Sequence, residues 1–569
     1  MPRMTNLANA VAAVVSTLAA CCAAAFAGPD HIYYNANAYT MDADRPRASA
    51  IAIEDGRFIA VGSDAEVLPL ADAGTELHDL GGRTVLPGLI DAHAHLAGLG
   101  QLETGVVDLA GTTSYAEVIE RVRARAATTP DGAWIIGRGW DHESWPVRDG
   151  RRELPRHGEL SAAAPDHPVW LSRVDGHAAL ANSAAMDAAG ITADTSSPEG
   201  GEIIRDEGGL PTGVFVDNAE SLVQRAIPAS ALPSPRETIL AAQRMCFAVG
   251  LTGVHDMGVH PRTIELYRDM ADAGELRLRI YALVSGPYAI RHFEQNDPLI
   301  GDVVTARGTK LYVDGAMGSR GAWLLEPYAD RPTGPDGEPY AGLAVSDPSL
   351  IESVAAHALE RGYQVCTHAI GDRANREVLD AYERAAASED ADLPTARFRI
   401  EHAQLLHPSD IDRFAAMGVI ASMQPTHCTS DMRWIDARVG SERARGAYAW
   451  ASLLRTGAVI AGGSDFPVES HNPFLGLYAA VTRQNLAGSP DGGWLPGERM
   501  TREEALRSMT LHAARAEFAE DRRGSIAPGK LADMIVIDTD VMTCEPRGIA
   551  DARVLRTIVG GEVVFETAP

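Results

Sequence analysis

The chain has 569 residues, with 50 Lys plus Arg against 77 Asp plus Glu, which leaves a net charge of −27. That balance argues against a nucleic-acid partner, because binding a polyanion needs basic clusters to displace its counterions. With 46% hydrophobic and 22% charged residues the chain is a folded globular protein and not a disordered one.

In chain order, residues 1–27 come first: one early cation, Arg3, then an Ala/Val/Leu run ending in Ala25-Phe26-Ala27 before Gly28-Pro29. This reads as a secretory signal cleaved after Ala27. Leu18-Ala19-Ala20-Cys21 also fits a lipoprotein signal that would be lipidated at Cys21, although the residues after Cys21 stay apolar where a lipoprotein usually turns polar. Either way the protein is expected to be exported, periplasmic or secreted, with membrane attachment only through Cys21. No later stretch reaches the roughly 18 apolar residues of a membrane span. The remaining cysteines, 246, 366, 428 and 544, form no CxxC pair and read as buried thiols rather than disulfides.

Residues 28–85 carry short β-type runs such as HIYYNANAYT and SAIAIEDGRFIAVG, and the tail 525–569 repeats that texture in KLADMIVIDTD and VLRTIVGGEVVFE. Two β-rich ends around a different middle suggest one small sandwich assembled from both termini. The middle, 86–524, alternates strands with amphipathic helices. Strands are expected at 84–95, 251–257, 278–284, 309–315, 363–372, 397–404, 418–425 and 458–467. Eight alternating units imply an α/β fold, a (β/α)8 TIM-type barrel, whose chemistry sits where strands end. Between the first two strands lies an insertion at about 100–245, far longer than a normal connection, which reads as a lid or pocket wall.

The ends of these strands are polar in a way that a buried apolar strand has no reason to be. His93 and His95, at i and i+2, project from one strand face. Lys310 lies on strand four, His368 on five, His402 on six and Asp465 after eight. Singly, each has a plain reading: a hydrogen-bonded core His, a helix-capping Asp, a salt-bridging Lys. Together, converging on one barrel mouth, they read as a metal site with open positions, the arrangement that activates water.

The order of these residues, opened by LPGLIDAHAH, resembles the amidohydrolase superfamily. The stretches KLYVDGAMGSRGAWL, CTHAIGDRAN, RIEHAQ, QPTH and GGSDFPVESHNPFLGLYAAVTR resemble amidohydrolase family 3, the YtcJ-like branch that includes N-substituted formamide deformylases. The resemblance implies two divalent ions, zinc by donor type: His93 and His95 on one, His368 and His402 on the other, a carboxylated Lys310 as bridge, and Asp465 as both ligand and general base. Asp314, two residues beyond Tyr312 on the face of Lys310, is the alternative oxygen ligand. Arg320, His177, Trp140, His142 and Gln424 are candidate substrate contacts, and His427 is read as either a pocket or a surface residue.

The function implied is hydrolysis of a carbon–nitrogen bond (amide, N-acyl or N-formyl) of a small molecule by metal-activated hydroxide. The alternatives are a deaminase, an ester, lactone or carbamate hydrolase, and a catalytically silent binding protein. The oligomeric state stays open between monomer and homodimer.

Overall fold

The computed structural model describes residues 28–146, 153–334 and 337–567; the leader, with Cys21, lies outside the described residues. The eight barrel strands are β1 (Leu89–Ala94), β2 (Leu251–Val259), β3 (Arg279–Ser285), β4 (Val304–Tyr312), β5 (Gln364–Ala369), β6 (Arg399–His402), β7 (Ile420–Met423) and β8 (Ile460–Gly462). They pair in sequence order, all parallel. A parallel bridge from Ala94 to Phe466 and a 2.7 Å bond from the Asp465 N–H to the His93 carbonyl link the first strand to the chain leaving the last. Every residue of β1, β5, β6, β7 and β8 is buried. Helices cover the outer face while side chains fill the centre, which is why these strands read as continuous runs without polar alternation.

The helices begin and end where local chemistry dictates. Pro348–Arg361 starts with Asp347 accepting from the Ser349 N–H and a proline in its first turn, and stops at Gly362, which takes the left-handed conformation (φ 74°) that Gly adopts without steric cost.

Two expected strands differ from those observed. The run 84–95 divides between two sheets: Thr84–Pro87 joins the sandwich and β1 starts at Leu89. Gly88 is the hinge, and a Cβ there would lie 2.2 Å from Thr252 Oγ1. Strand four starts five residues earlier than expected and ends three earlier, at Tyr312, so Asp314 has left the strand. Its carboxylate accepts the backbone N–H groups of Trp323 (2.9 Å), Ile370 (3.0 Å) and Gly371 (2.8 Å), holding the loops after β4 and β5 together.

Strands from both ends of the chain share one sheet, ordered 562–566, 554–559, 534–537, 84–87, 37–39, 47–48, beside a four-stranded sheet from residues 31–79. This unit meets the N-terminal end of the barrel. There Arg279, first residue of β3, donates to both carboxylate oxygens of Asp533 at 3.0 and 2.8 Å, and both side chains are over nine-tenths buried. The insertion forms its own six-stranded sheet, ordered 201–205, 211–217, 178–181, 169–173, 135–140, 107–108, with separate apolar clusters around Trp140 and Trp170. Cys246, Cys366 and Cys428 are buried free thiols, and Cys544 is a half-buried one.

Removing the Arg279 cation strands Asp533 in a dry interface, and breaking such a pair costs about 3–5 kcal/mol. Arg279→Met is therefore expected to lower the unfolding free energy by that amount, read from the fall in the urea midpoint; a midpoint equal to that of the parent would show that the clasp does not hold sandwich to barrel.

Candidate metal centre

The C-terminal ends of the strands deliver the candidate ligands to one point. His93 is the penultimate residue of β1, and His95 follows the strand directly, ahead of the helix Leu96–Thr104. His93 Nε2 lies 3.1 Å from Lys310 Nζ and 3.6 Å from Asp465 Oδ1, and His95 Nε2 lies 3.2 Å from the same oxygen. The rings of His93 and His402 are 4.7 Å apart and those of His402 and His368 4.6 Å. Donor atoms of His93, His402 and Asp465 fall within 4.8 Å of one another.

Electrostatics keeps these groups in ligand form. Burial pushes the His93 imidazole down to about 4 and holds His368 and His402 well below their ordinary value, so their lone pairs are free at neutral pH. Burial alone would raise the Asp465 carboxyl, but the imidazoles of His93 and His95 hold it well below the usual range, so it is ionised. Asp465 Oδ1 is buried and accepts no hydrogen bond despite its imidazole neighbours. A desolvated, unsatisfied carboxylate oxygen is costly, and neutral imidazoles around an ionised carboxylate are the donor set of a divalent transition ion. The residues therefore fit a metal.

Behind this layer is a second one that sequence reasoning missed. Glu401 is fully buried; its Oε2 lies 2.5 Å from His93 Nδ1 and its Oε1 2.8 Å from Arg399 Nε. Burial would raise the Glu401 carboxyl, but Arg399 and His93 hold it far below its ordinary value. The carboxylate thus fixes the His93 tautomer and leaves Nε2 for the centre. Strand alternation should send Glu401 and His402 to opposite faces. His402, however, has φ of +73° and Ala403 +42°, and this break in the extended path brings both side chains inward. The clue in the sequence was a Glu two residues from an Arg on a strand that had to be buried.

Asp465 is likewise left-handed, with φ of +60°, a conformation that costs free energy and persists only where surroundings impose it. Asp91 imposes it by accepting from the Ser464 N–H (3.0 Å) and hydroxyl (2.6 Å). Gly463 permits that approach, since a Cβ there would meet Asp91 Oδ1 and the His93 nitrogen at 2.6 Å each.

A cavity of about 710 Å³ opens above the cluster, bounded by His368, His402 and Asp465 below and by the insertion and loops above. His177 lines it, its ring 4.8 Å from that of His368 and its Nδ1 2.7 Å from Asp217; burial would lower its pKa, but Asp217 raises it. His427 also lines the cavity, with Nε2 3.8 Å from Asp465 Oδ2.

The structure draws the other candidates elsewhere. Trp140 is in the insertion's core, its indole N–H donating to the Leu171 carbonyl at 2.7 Å. His142 is buried and accepts from Arg173 Nε at 3.3 Å. Arg320 is paired with Asp330 through two bonds of 3.3 and 2.8 Å and does not line the cavity. Gln424 accepts from His402 Nδ1 at 2.8 Å and so orients that imidazole. Three arginines line the cavity: Arg138 and Arg173 come from the insertion, and Arg433, after β7, is paired with Asp141 at 2.9 Å.

The model of the amidohydrolase family matches residues 76–565. The chain belongs to the amidohydrolase family. Three relatives cover nearly all of this amidohydrolase: Protein LONG AFTER FAR-RED 3 of Arabidopsis thaliana (35% identical; 94% of this chain, 91% of the relative), the putative amidohydrolase YtcJ of Bacillus subtilis (32%; 94% and 99%) and the N-substituted formamide deformylase of Arthrobacter pascens (32%; 94% and 98%). Among solved structures, an uncharacterized metal-dependent hydrolase from Pyrococcus horikoshii superposes with a TM-score of 0.73 at 28% identity, over 91% of this chain and 99% of that one. Family and neighbours make the protein a hydrolase.

Loss of a carboxylate that orients a ligating histidine typically weakens metal affinity about 10–100-fold. Glu401→Gln should weaken divalent-metal binding by that factor in a chelator competition; undiminished affinity would remove Glu401 from the site's support.

Proposed function

We propose that this amidohydrolase is a metal-dependent hydrolase of carbon–nitrogen bonds in small molecules that carry an anionic group. The observation that carries the reading is the ionised, unsatisfied Asp465 carboxylate among neutral imidazoles at the floor of the cavity. His93, His95 and Asp465 would hold one ion and His368 and His402 a second, with zinc the best match to imidazole and carboxylate donors. Bound there, such ions supply Lewis-acid polarisation of a carbonyl and lower the pKa of water.

Lys310 is fully buried, and no carboxylate among the described residues lies in ion-pair contact with it. Its Nζ faces His93 Nε2 at 3.1 Å, where an ammonium could not coordinate and a carboxylated amine could bridge. Burial draws the amine down to about 8, which favours the neutral form that carboxylation needs. Asp314, the alternative oxygen donor, already accepts three backbone N–H groups.

Asp465 takes the proton of the attacking water and returns it to the leaving nitrogen. The carbon–nitrogen assignment draws support from the deformylase relative. The anionic group is assigned from Arg138. This residue lines the cavity and presses with Pro467 against Gly98, where a Cβ would lie 2.9 Å from its Nη1 and 3.0 Å from the proline ring. That places it beside the chain leaving both β1 and β8. Its Nε is buried without a partner, its Nη2 reaches the Val174 carbonyl only at 3.4 Å, and no carboxylate among the described residues lies in ion-pair contact with it. Arg173, by contrast, is held by Asp141 and Asp175. Asp465, Asp108 and Asp175 act on Arg138 only from beyond ion-pair contact, and a largely desolvated guanidinium with no direct partner favours a ligand carboxylate, as an N-acyl amino acid would present. We further propose export of the protein, on the character of residues 1–27.

Asp465→Asn, assayed with Zn²⁺ in excess so that the loss of a ligand does not decide the result, is expected to lower kcat on such substrates by about 10²–10⁴-fold; full turnover would remove it as the base. Chelation should abolish hydrolysis and added Zn²⁺ restore it. Arg138→Met should raise KM for carboxylate-bearing substrates by about 10–100-fold, the scale of a lost charge-assisted hydrogen bond, and leave their carboxamide analogues unaffected. An equal effect on both would refute the anion assignment without touching the metal chemistry.

A further inference from the structure

A second cluster of metal-binding side chains lies on the terminal sandwich, away from the barrel mouth. His31 belongs to strand His31–Tyr34 and Glu76 and His78 to strand Glu76–Asp79. The two strands pair in parallel with His31 opposite Glu76 and Tyr33 opposite His78. Their donor atoms form a small triangle: His31 Nδ1 to His78 Nε2 3.3 Å, His31 Nδ1 to Glu76 Oε2 3.5 Å and His78 Nε2 to Glu76 Oε2 3.8 Å.

We propose that His31, Glu76 and His78 form a further divalent-cation site, selective for zinc-like ions, that clips these two strands together. The spacing is the first support. A tetrahedral ion with bonds of about 2.0–2.1 Å separates its donors by about 3.3–3.4 Å, and two of the three edges match within about 0.2 Å. Orientation is the second. Tyr33 stacks on His78, with centroids 4.4 Å apart and planes 15° from parallel, which holds that ring with Nε2 toward His31.

The surroundings suit a cation. A surface pocket of about 400 Å³ beside the triangle is lined by Asp30, His31, Glu76 and Glu562. The nearby cation Arg556 is paired with Glu566 at 2.6 Å. Glu76 is exposed while both imidazoles are about three-quarters covered, so the fourth position opens to solvent.

The benefit is local. Strand Glu76–Asp79 lies at the edge of its sheet and none of its residues is buried, so apolar packing contributes little to holding it. Without an ion, the same geometry is a single His–His hydrogen bond with a loose carboxylate beside it.

Zinc content of the full-length protein, dialysed against micromolar free Zn²⁺, distinguishes the two. Wild type is expected to hold one equivalent more than His78→Gln, whatever the number at the barrel, and hydrolytic activity should not change. Because His78 packs on Tyr33, the exposed Glu76→Gln provides the second variant: it should weaken that one equivalent at least about 10-fold, as loss of a ligand does, and reduce the zinc-dependent rise in Tm. Equal zinc content and equal thermal shifts in wild type and both variants would overturn the site and leave the barrel assignment intact.

Discussion

The site rests on how the barrel pays for one buried cation. Arg399 is fully buried, where an unpaired guanidinium would be prohibitively unfavourable. Its fork is consumed by Glu401, by the Ala92 carbonyl at 2.6 Å, by Ser422 at 2.8 Å and by His255 Nδ1 at 2.8 Å. These partners lie on β1, β2, β6 and β7, so one side chain ties four strands together. His255 faces Glu517 at 3.5 Å, and Glu517 pairs with Arg523, which extends the chain of paired groups toward the sandwich end. At the mouth the same chain terminates in the contact between Glu401 and His93. Fold stability and ligand orientation are therefore one problem here: the carboxylate that neutralises Arg399 is also the one that aims His93.

Opposite demands are met at the two ends of the barrel. At the closed end, Arg279 and Asp533 satisfy each other, and the sandwich seals the strands. At the open end the groups are deliberately left unsatisfied. Asp465 Oδ1 and His427 Nε2 are buried without hydrogen bonds, and left-handed residues at His402 and Asp465 store strain that ordinary packing would avoid. Orphaned polar groups that line a cavity, as these two do, mark where the molecule expects a ligand.

The insertion separates chemistry from selection. The strand ends carry the candidate metal ligands, whereas Arg138, Arg173 and His177 reach the cavity from a sheet with its own apolar core. That independence lets the pocket wall change without disturbing the cluster below it.

The eight-unit α/β alternation, the composite β ends and the polar residues at strand ends were legible because each is written in local pattern: period, caps and residue type. His93, His95, Lys310, His368, His402 and Asp465 could be picked out because such groups have no reason to end an apolar strand. Glu401 could not, because alternation pointed it away from the mouth and only the left-handed turn at His402 reverses that. Arg320 and Arg138 show the same limit from the other side. The sequence singles out Arg320 and passes over Arg138; in space Asp330 pairs with the first, while among the described residues no carboxylate is in ion-pair contact with the second. The residues by themselves determined which chemistry the chain carries, since that depends on side-chain type at positions set by local period. Which of those groups remain free to act was decided only by the tertiary structure, because pairing, desolvation and backbone handedness depend on neighbours hundreds of residues away.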